Sequence, residues 1–375
     1  MVRVLTIFGT RPEAIKMAPV VGMLNKTKGI EHFCCVTGQH RQMLDQVLDT
    51  FHIKPDHDLN LMTKDQTLAS ITTAALNGIS EVISKWHPDW IVVQGDTTTA
   101  FAGALSAFYN RVKVAHVEAG LRTGDLQSPW PEEANRRFVS VVANVHFAPT
   151  ETSANNLLKE NISADQIVIT GNTVIDALQS VAGRFETDQA IRQKLDTQFN
   201  FLDGRKIILV TGHRRENLQE GGLINMCQAL KEIAARGDVQ VVFPVHLNPN
   251  VQNQVQEVLN GVPNIHLIDP LEYVPFVYML SKSHLVVTDS GGIQEEAPAL
   301  AKPVLVTRNT TERPEAIEAG TALLVGTSKE ELLTHANKLL DDEAEYKKMA
   351  TAQNPFGDGK ASARIVEYLL KGNKS

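Results

Sequence analysis

Short runs dense in Val, Ile, Leu and Phe recur along the chain, and each gives way abruptly to Gly, Asp, Asn, Thr or another polar residue. In the first half the runs are Val4–Phe8, Phe33–Thr37, Trp90–Gln94, Val114–Val117, Val145–Ala148 and Ile167–Thr170. In the second half they are Ile207–Thr211, Val239–Val245, Ile265–Ile268, Leu285–Thr288, Val304–Thr307 and Ala322–Val325. They are almost continuously apolar rather than alternating, the pattern of strands buried on both faces. Amphipathic stretches of helical length lie between them, such as Met17–Asn25, Arg41–Thr50 and Leu223–Arg236. Strand–helix alternation of this kind predicts parallel sheets with helices on both faces.

The chain has 375 residues, more than one ordinary core accommodates. The expected fold is α/β, with two Rossmann-like doubly wound domains facing a cleft. The boundary is placed near Gly171–Ala177, giving an N-terminal domain over 1–171 and a C-terminal domain over 172–362. Val181–Asp203 reads as an early helix of the second domain followed by a loop. After the turn-rich stretch Asn354–Gly359, a last helix from Ala363 to Lys371, within a C-terminal segment 363–375, is expected to pack back on the first domain.

Composition narrows the class. Hydrophobic residues make up 43% and charged residues 21%, values of a globular protein rather than a disordered or membrane one. A net charge of -7 does not favour nucleic acid, and basic patches interleaved with aromatics are absent. The cysteines are Cys34, Cys35 and Cys227, with no C-x-x-C, which argues against a disulfide framework or zinc site and for a reducing compartment. The first apolar run is too short for a secretory signal core, and no run is long enough to span a bilayer, so a cytoplasmic location is expected.

In open parallel sheets ligands bind beyond the carboxyl ends of the strands, so the residues after each run carry the chemistry. They are Gly9-Thr10-Arg11-Pro12-Glu13 with Lys16, Gly95-Asp96, Glu118, Gly212-His213-Arg214-Arg215, His246, Asp289-Ser290-Gly291-Gly292 and Thr311-Glu312-Arg313. Ser290-Gly291-Gly292 before a helix suits an anion, because glycine lets the backbone approach and helix-start N–H groups point at it; a plain helix cap with a tight turn explains it equally well. Arg11, Lys16 and Arg313 are candidates for pyrophosphate charge. Asp96, Glu118 and Glu132 are candidate acid–base carboxylates. For Asp96 the competing role is an N-cap of the next helix, and for Glu132 a first-turn acid after Pro131. His213, beside Arg214 and Arg215, suits a neutral donor or a phosphate contact. There is no P-loop, no dinucleotide fingerprint and no metal-ligand cluster in the pattern, so neither NAD nor a metal is expected.

The strings F-G-T-R-P-E-A-I-K, Q-G-D-T-T-T, H-V-E-A-G-L-R-T, P-W-P-E-E-A-N-R, T-G-H-R-R-E-N, P-V-H-L-N-P-N, D-S-G-G-I-Q-E-E-A-P and T-T-E-R-P-E-A run in order from residue 8 to residue 316. Together they closely resemble the bacterial non-hydrolysing UDP-N-acetylglucosamine 2-epimerases. The string I-D-P-L-E-Y departs from that pattern at Leu271. The resemblance implies a glycosyltransferase-B-like fold, usually a homodimer, that interconverts UDP-N-acetylglucosamine and UDP-N-acetylmannosamine for surface polysaccharide synthesis. It implies a UDP-binding second domain and a catalytic set of Asp96, Glu118, Glu132 and His213, with acid and base unassigned. It also implies substrate contacts from Arg11, Lys16, Asp96, Glu118, His213, Phe276, Ser290, Gly291, Gly292, Glu296 and Arg313. Gln39, Gln42, Arg214 and His246 match positions at which related enzymes take a second UDP-N-acetylglucosamine as an allosteric activator. A glycosyltransferase of the same fold is the main rival, since the fold does not discriminate between the two chemistries.

Overall fold

The computed structural model describes residues 1–38, 41–62, 66–212 and 221–372. The chain divides into two compact units, Met1–Ala177 with Phe356–Ser375, and Leu178–Pro355. The division falls after Ala177, inside the helix Thr173–Thr187.

Among the described residues of the first unit, β1 (Val2–Phe8), β2 (Ile30–Val36), β3 (His57–Asp58), β4 (Trp90–Gln94), β5 (Lys113–Val117), β6 (Val145–Ala148) and β7 (Ile167–Ile169) form one sheet. Its order is β3-β2-β1-β4-β5-β6-β7, every pairing parallel. In the second unit β8 (Lys206–Thr211), β9 (Val239–Pro244), β10 (Ile265–Ile268), β11 (Leu285–Thr288), β12 (Val304–Val306) and β13 (Ala322–Leu324) run in the order β10-β9-β8-β11-β12-β13, again all parallel. Both orders reverse direction once, between β1 and β4 and between β8 and β11, and such reversals open a crevice at the strand ends.

Burial explains the runs. Val4, Leu5, Ile7 and Phe8 of β1 and Ile91, Val92 and Val93 of β4 are fully buried, because helices cover both faces of these central strands. The second unit has its own core, in which Leu223, Met226 and Leu230 of the helix Gly222–Ala234 pack on Val210, Val241 and Phe243.

Two elements differ from the sequence reading. β3 has no apolar residue; it is a polar edge strand attached by backbone pairing to Cys35 and Val36. Val181–Asp203 holds the end of Thr173–Thr187 and then a second helix, Gln189–Gln198, restarted by Asp188, whose carboxylate accepts from the Ala190 and Ile191 N–H groups at 3.0 and 3.1 Å. The last helix, Ala361–Lys371, belongs to the first unit. Its N-terminus is capped by Asp176, which accepts from the N–H groups of Ala361 at 3.2 Å and Ser362 at 2.8 Å. Its Tyr368 ring meets Trp90 and Phe147 edge-on. Among the described residues no helix is long and apolar enough to cross a membrane.

Candidate active site

The first unit's crevice begins at Gly9. A Cβ there would lie 1.8 Å from Thr37 Oγ1 and 2.8 Å from Thr99 Oγ1, so only glycine leaves room for this hydroxyl pair, itself 2.9 Å apart. The helix Arg11–Lys26 starts immediately after, through a capping box: Thr10 Oγ1 accepts from the Glu13 N–H while Glu13 accepts from the Thr10 N–H. Glu13 also accepts from Gly9 N–H at 3.0 Å and from the Thr97 hydroxyl at 2.6 Å, which ties the ends of β1 and β4 together. Burial pushes the Glu13 carboxyl up, against the pull of its hydrogen bonds to Thr97, Thr10 and Gly9. Arg11 is half-buried at the first helical position, and Lys16 stands one turn further along.

Lys16 meets Glu118. Its Nζ lies 2.7 and 2.6 Å from the two carboxylate oxygens, and the Glu118 side chain is 8% exposed. Gln94, the last residue of β4, donates its amide to Oε2, and Asn172 donates to Oε1 at 3.0 Å. Glu118 has φ +59, left-handed backbone that a non-glycine residue adopts at a cost and that clusters at functional sites. The reversal continues at Gly120, where a Cβ would meet the Ser153 carbonyl oxygen at 2.2 Å.

Asp96 follows at the end of the neighbouring strand β4. A Cβ on Gly95, its neighbour, would lie 3.7 Å from Glu118 Oε2. Asp96 does not cap the helix Thr98–Tyr109, since Thr97 does. Instead its carboxylate pairs with Arg136, and its carbonyl accepts from Asn135 at 3.0 Å. Both partners lie on the helix Glu132–Val142. Glu132, half-buried at the start of that helix, shares their face by the three-to-four residue spacing. Glu133 is instead fully buried and structural: it binds Arg136, Arg137 and the N–H groups of Thr123 and Gly124. Beneath the Gly95 turn, His116 Nε2 donates to the Gly95 carbonyl at 2.7 Å. Burial pulls the His116 imidazole down to about 3 and that of neighbouring His146 to about 4, so both are neutral at physiological pH.

In the second unit Ser290 is the N-cap position of the helix Gly291–Glu296, without a capping bond from its side chain. Gly291 is buried and Gly292 exposed. Arg313 pairs with buried Glu295 through Nε. Glu296 and Phe276 are half-buried, Phe276 on the helix Tyr273–Lys282. His246 is exposed after β9 and accepts the Asn248 N–H on Nδ1 at 3.1 Å. Gln42 is exposed on the helix Arg41–Thr50 of the first unit. Gln39, His213 and Arg214 lie outside the described residues. The structure thus brings Lys16 to Glu118 and adds Gln94, Asn172, Asn135 and Arg136, which the sequence reading did not select. Gln94 carried a signal, a polar residue closing an otherwise apolar buried strand.

Two doubly wound parallel sheets, one of them with two cation-held carboxylates at adjacent strand ends, define an α/β protein of the glycosyltransferase-B-like class. Comparison with known proteins narrows this. Residues 23–370 match the family model described as UDP-N-acetylglucosamine 2-epimerase. A Campylobacter jejuni UDP-N-acetylglucosamine 2-epimerase is 52% identical over 100% of this chain and 98% of its own. An Escherichia coli (strain K12) enzyme of the same name is 54% identical over 99% of both chains. The crystal structure of a Neisseria meningitidis UDP-GlcNAc 2-epimerase bound to UDP-GlcNAc superposes with a TM-score of 0.88 at 52% identity, covering 98% of this chain and 100% of that one. The chain belongs to the UDP-N-acetylglucosamine 2-epimerase family.

Proposed function

We propose that this protein interconverts UDP-N-acetylglucosamine and UDP-N-acetylmannosamine by inverting carbon 2. The observation that carries the reading is the pair of carboxylates, Glu118 held by Lys16 and Asp96 held by Arg136, on adjacent strand ends of one crevice. The hydrogen on carbon 2 is not acidic, since no carbonyl adjoins it. Breaking the bond from carbon 1 to UDP creates an oxocarbenium-like centre, and loss of the carbon 2 proton to a carboxylate then gives 2-acetamidoglucal. A proton delivered to the opposite face of carbon 2, with UDP rejoining carbon 1, completes the inversion and restores the balance of atoms and charge. Asp96, Glu118 and Glu132 provide the groups for this exchange, with His213 as a fourth member of the site. Arg11 and Arg313, with the N–H groups at Ser290–Gly292, are assigned to the charge of the leaving pyrophosphate. Phe276 and Glu296 are assigned to substrate binding, and the second unit to the UDP moiety.

Three further assignments belong to this reading. UDP-N-acetylglucosamine acts as its own activator through Gln39, Gln42, Arg214 and His246. The protein works in the cytoplasm and supplies surface polysaccharide synthesis. It forms a homodimer, supported by an apolar face on two neighbouring helices of the first unit: Phe108 and Tyr109 are 57% and 64% exposed, and Phe138 and Val141 are 54% and 80% exposed. Proton NMR of the purified protein with UDP-N-acetylglucosamine in deuterated water tests the chemistry. The expected product is UDP-N-acetylmannosamine carrying deuterium at carbon 2. Accumulation of UDP with free N-acetylmannosamine would show hydrolysis instead, and an unchanged sugar nucleotide would remove the epimerase reading.

A further inference from the structure

Glu118 is held by more than its lysine. Gln94, 3% exposed, reaches Oε2 from the end of β4, and Asn172, 2% exposed, reaches Oε1 at 3.0 Å. A carboxylate accepts and cannot donate, so both contacts are made by amide N–H groups. Asn172 is itself fixed from two sides. Its Oδ1 accepts the Val174 N–H at 3.2 Å, starting the helix Thr173–Thr187, and its backbone N–H donates to the Phe356 carbonyl at 2.7 Å. Phe356 opens the segment by which the chain re-enters the first unit, and there Gly357 packs on Gly171 so closely that a Cβ on Gly171 would lie 3.1 Å from Gly357 Cα. The donor to Oε1 therefore stands where the outgoing and returning chains are bonded together.

We propose that Gln94 and Asn172 are positioning residues for the Glu118 carboxylate, one on each oxygen, and that Asn172 ties its orientation to the returning chain at Phe356. This rests on the reading of Glu118 as a catalytic carboxylate. The two amides hold the carboxylate plane at its left-handed backbone position while Lys16 supplies the charge. Without them the ionised group loses donors and rotates about its side-chain bonds, and a proton-transferring group must keep both geometry and ionisation.

The test uses Asn172→Ser and Gln94→Met in the full-length enzyme. Serine retains a short acceptor for the Val174 N–H, as Ser does in turns that mimic those of Asn, but does not reach Glu118. Methionine keeps much of the length of glutamine without its donor. For each variant kcat is expected to fall about tenfold or more while KM stays within about twofold, the loss of a hydrogen bond to a charged group. The acid limb of the kcat profile moves up by about one pH unit, because removing a donor favours the protonated carboxyl. A purely structural role would reduce the folded fraction and leave the limb in place. Glu118→Gln separates the two claims. Wild-type turnover by that variant would remove the catalytic reading of Glu118. An inactive Glu118→Gln, with Asn172→Ser and Gln94→Met at wild-type kcat or with an unmoved acid limb, would overturn the positioning proposal alone.

Discussion

Replacing Gly9 by alanine tests whether space, rather than backbone conformation, demands glycine at the head of the crevice. Gly9 is not among the residues with positive φ, so alanine suits its dihedrals. The added methyl carbon meets Thr37 Oγ1 at 1.8 Å, Thr99 Oγ1 at 2.8 Å and Thr37 Cβ at 3.2 Å. Both threonines are buried, and their β-branched side chains turn only by leaving a preferred rotamer. Overpacking of this kind costs about 1–3 kcal/mol, and loss of the buried hydroxyl–hydroxyl bond adds about 1 kcal/mol. The expected destabilisation is about 3 kcal/mol, or about 9 °C in the melting midpoint of a unit this size. Displacing Gly9 also strains its bond to Glu13, and with it the helix turn that carries Arg11 and Lys16, so turnover falls as well. All three tryptophans, Trp86, Trp90 and Trp130, lie in the first unit, so tryptophan fluorescence follows that unit's unfolding selectively. The decisive measurement is a cycle with Thr37→Ala, which deletes the nearest clashing atom. Gly9→Ala with Thr37→Ala is expected to cost at least about 1 kcal/mol less than the sum of the singles. A Gly9→Ala midpoint within about 2 °C of wild type, or strict additivity in the cycle, would refute the steric argument.

Two other substitutions probe the same unit. His146 is fully buried with neither ring nitrogen hydrogen-bonded among the described residues, and burial, then the charge of Arg122, lowers it from 6.5 to about 4. Between those values the unfolded chain takes up a proton that the folded chain does not, so stability drops as pH falls through this window. His146→Phe is expected to flatten that slope, its melting advantage over wild type widening from pH 6.5 to pH 4.5; parallel curves would count against the reading. Val141→Asp places a charge in the exposed apolar face and is expected to convert a dimer to a monomer in sedimentation analysis, whereas equal masses for variant and wild type would assign that face another role.

The parts of this molecule that were legible in the sequence are those decided locally. β4, β6 and β11 read true to their ends because a strand buried on both faces is predominantly apolar and stops where its backbone leaves the sheet, and the bounds of half-buried β10, at the sheet edge, were legible as well. Asp96 and Glu118 stood out for the matching reason, as acids directly after such strands. What was not legible depends on partners far along the chain. Lys16 and Glu118 are separated by 102 residues, and Arg136 reaches Asp96 from 40 residues away. Lys16 and Arg313 read alike as phosphate-binding cations, yet the folded chain sets each against a buried carboxylate, Glu118 and Glu295, and no local pattern announces those pairs. β3 was invisible because its two polar residues join the sheet through main-chain bonds that side-chain chemistry does not announce.

The division of the chain has a consequence for how the protein is made. The first unit is assembled from residues 1–177 and from 356 onward, and its closing helix buries Ile365, Val366 and Leu369. Synthesis runs from the N-terminus, so the sheet β1–β7 emerges from the ribosome early but waits for that helix through the whole of the second unit. Residues 178–355 therefore form the part that can finish folding first, and the nascent first unit exposes the apolar surface beneath Ala361–Lys371 until that helix emerges. A chain with this arrangement completes its first unit only after the second has been synthesised, and a ribosome that stalls shortly before residue 361 leaves a finished second unit and an open seam in the first.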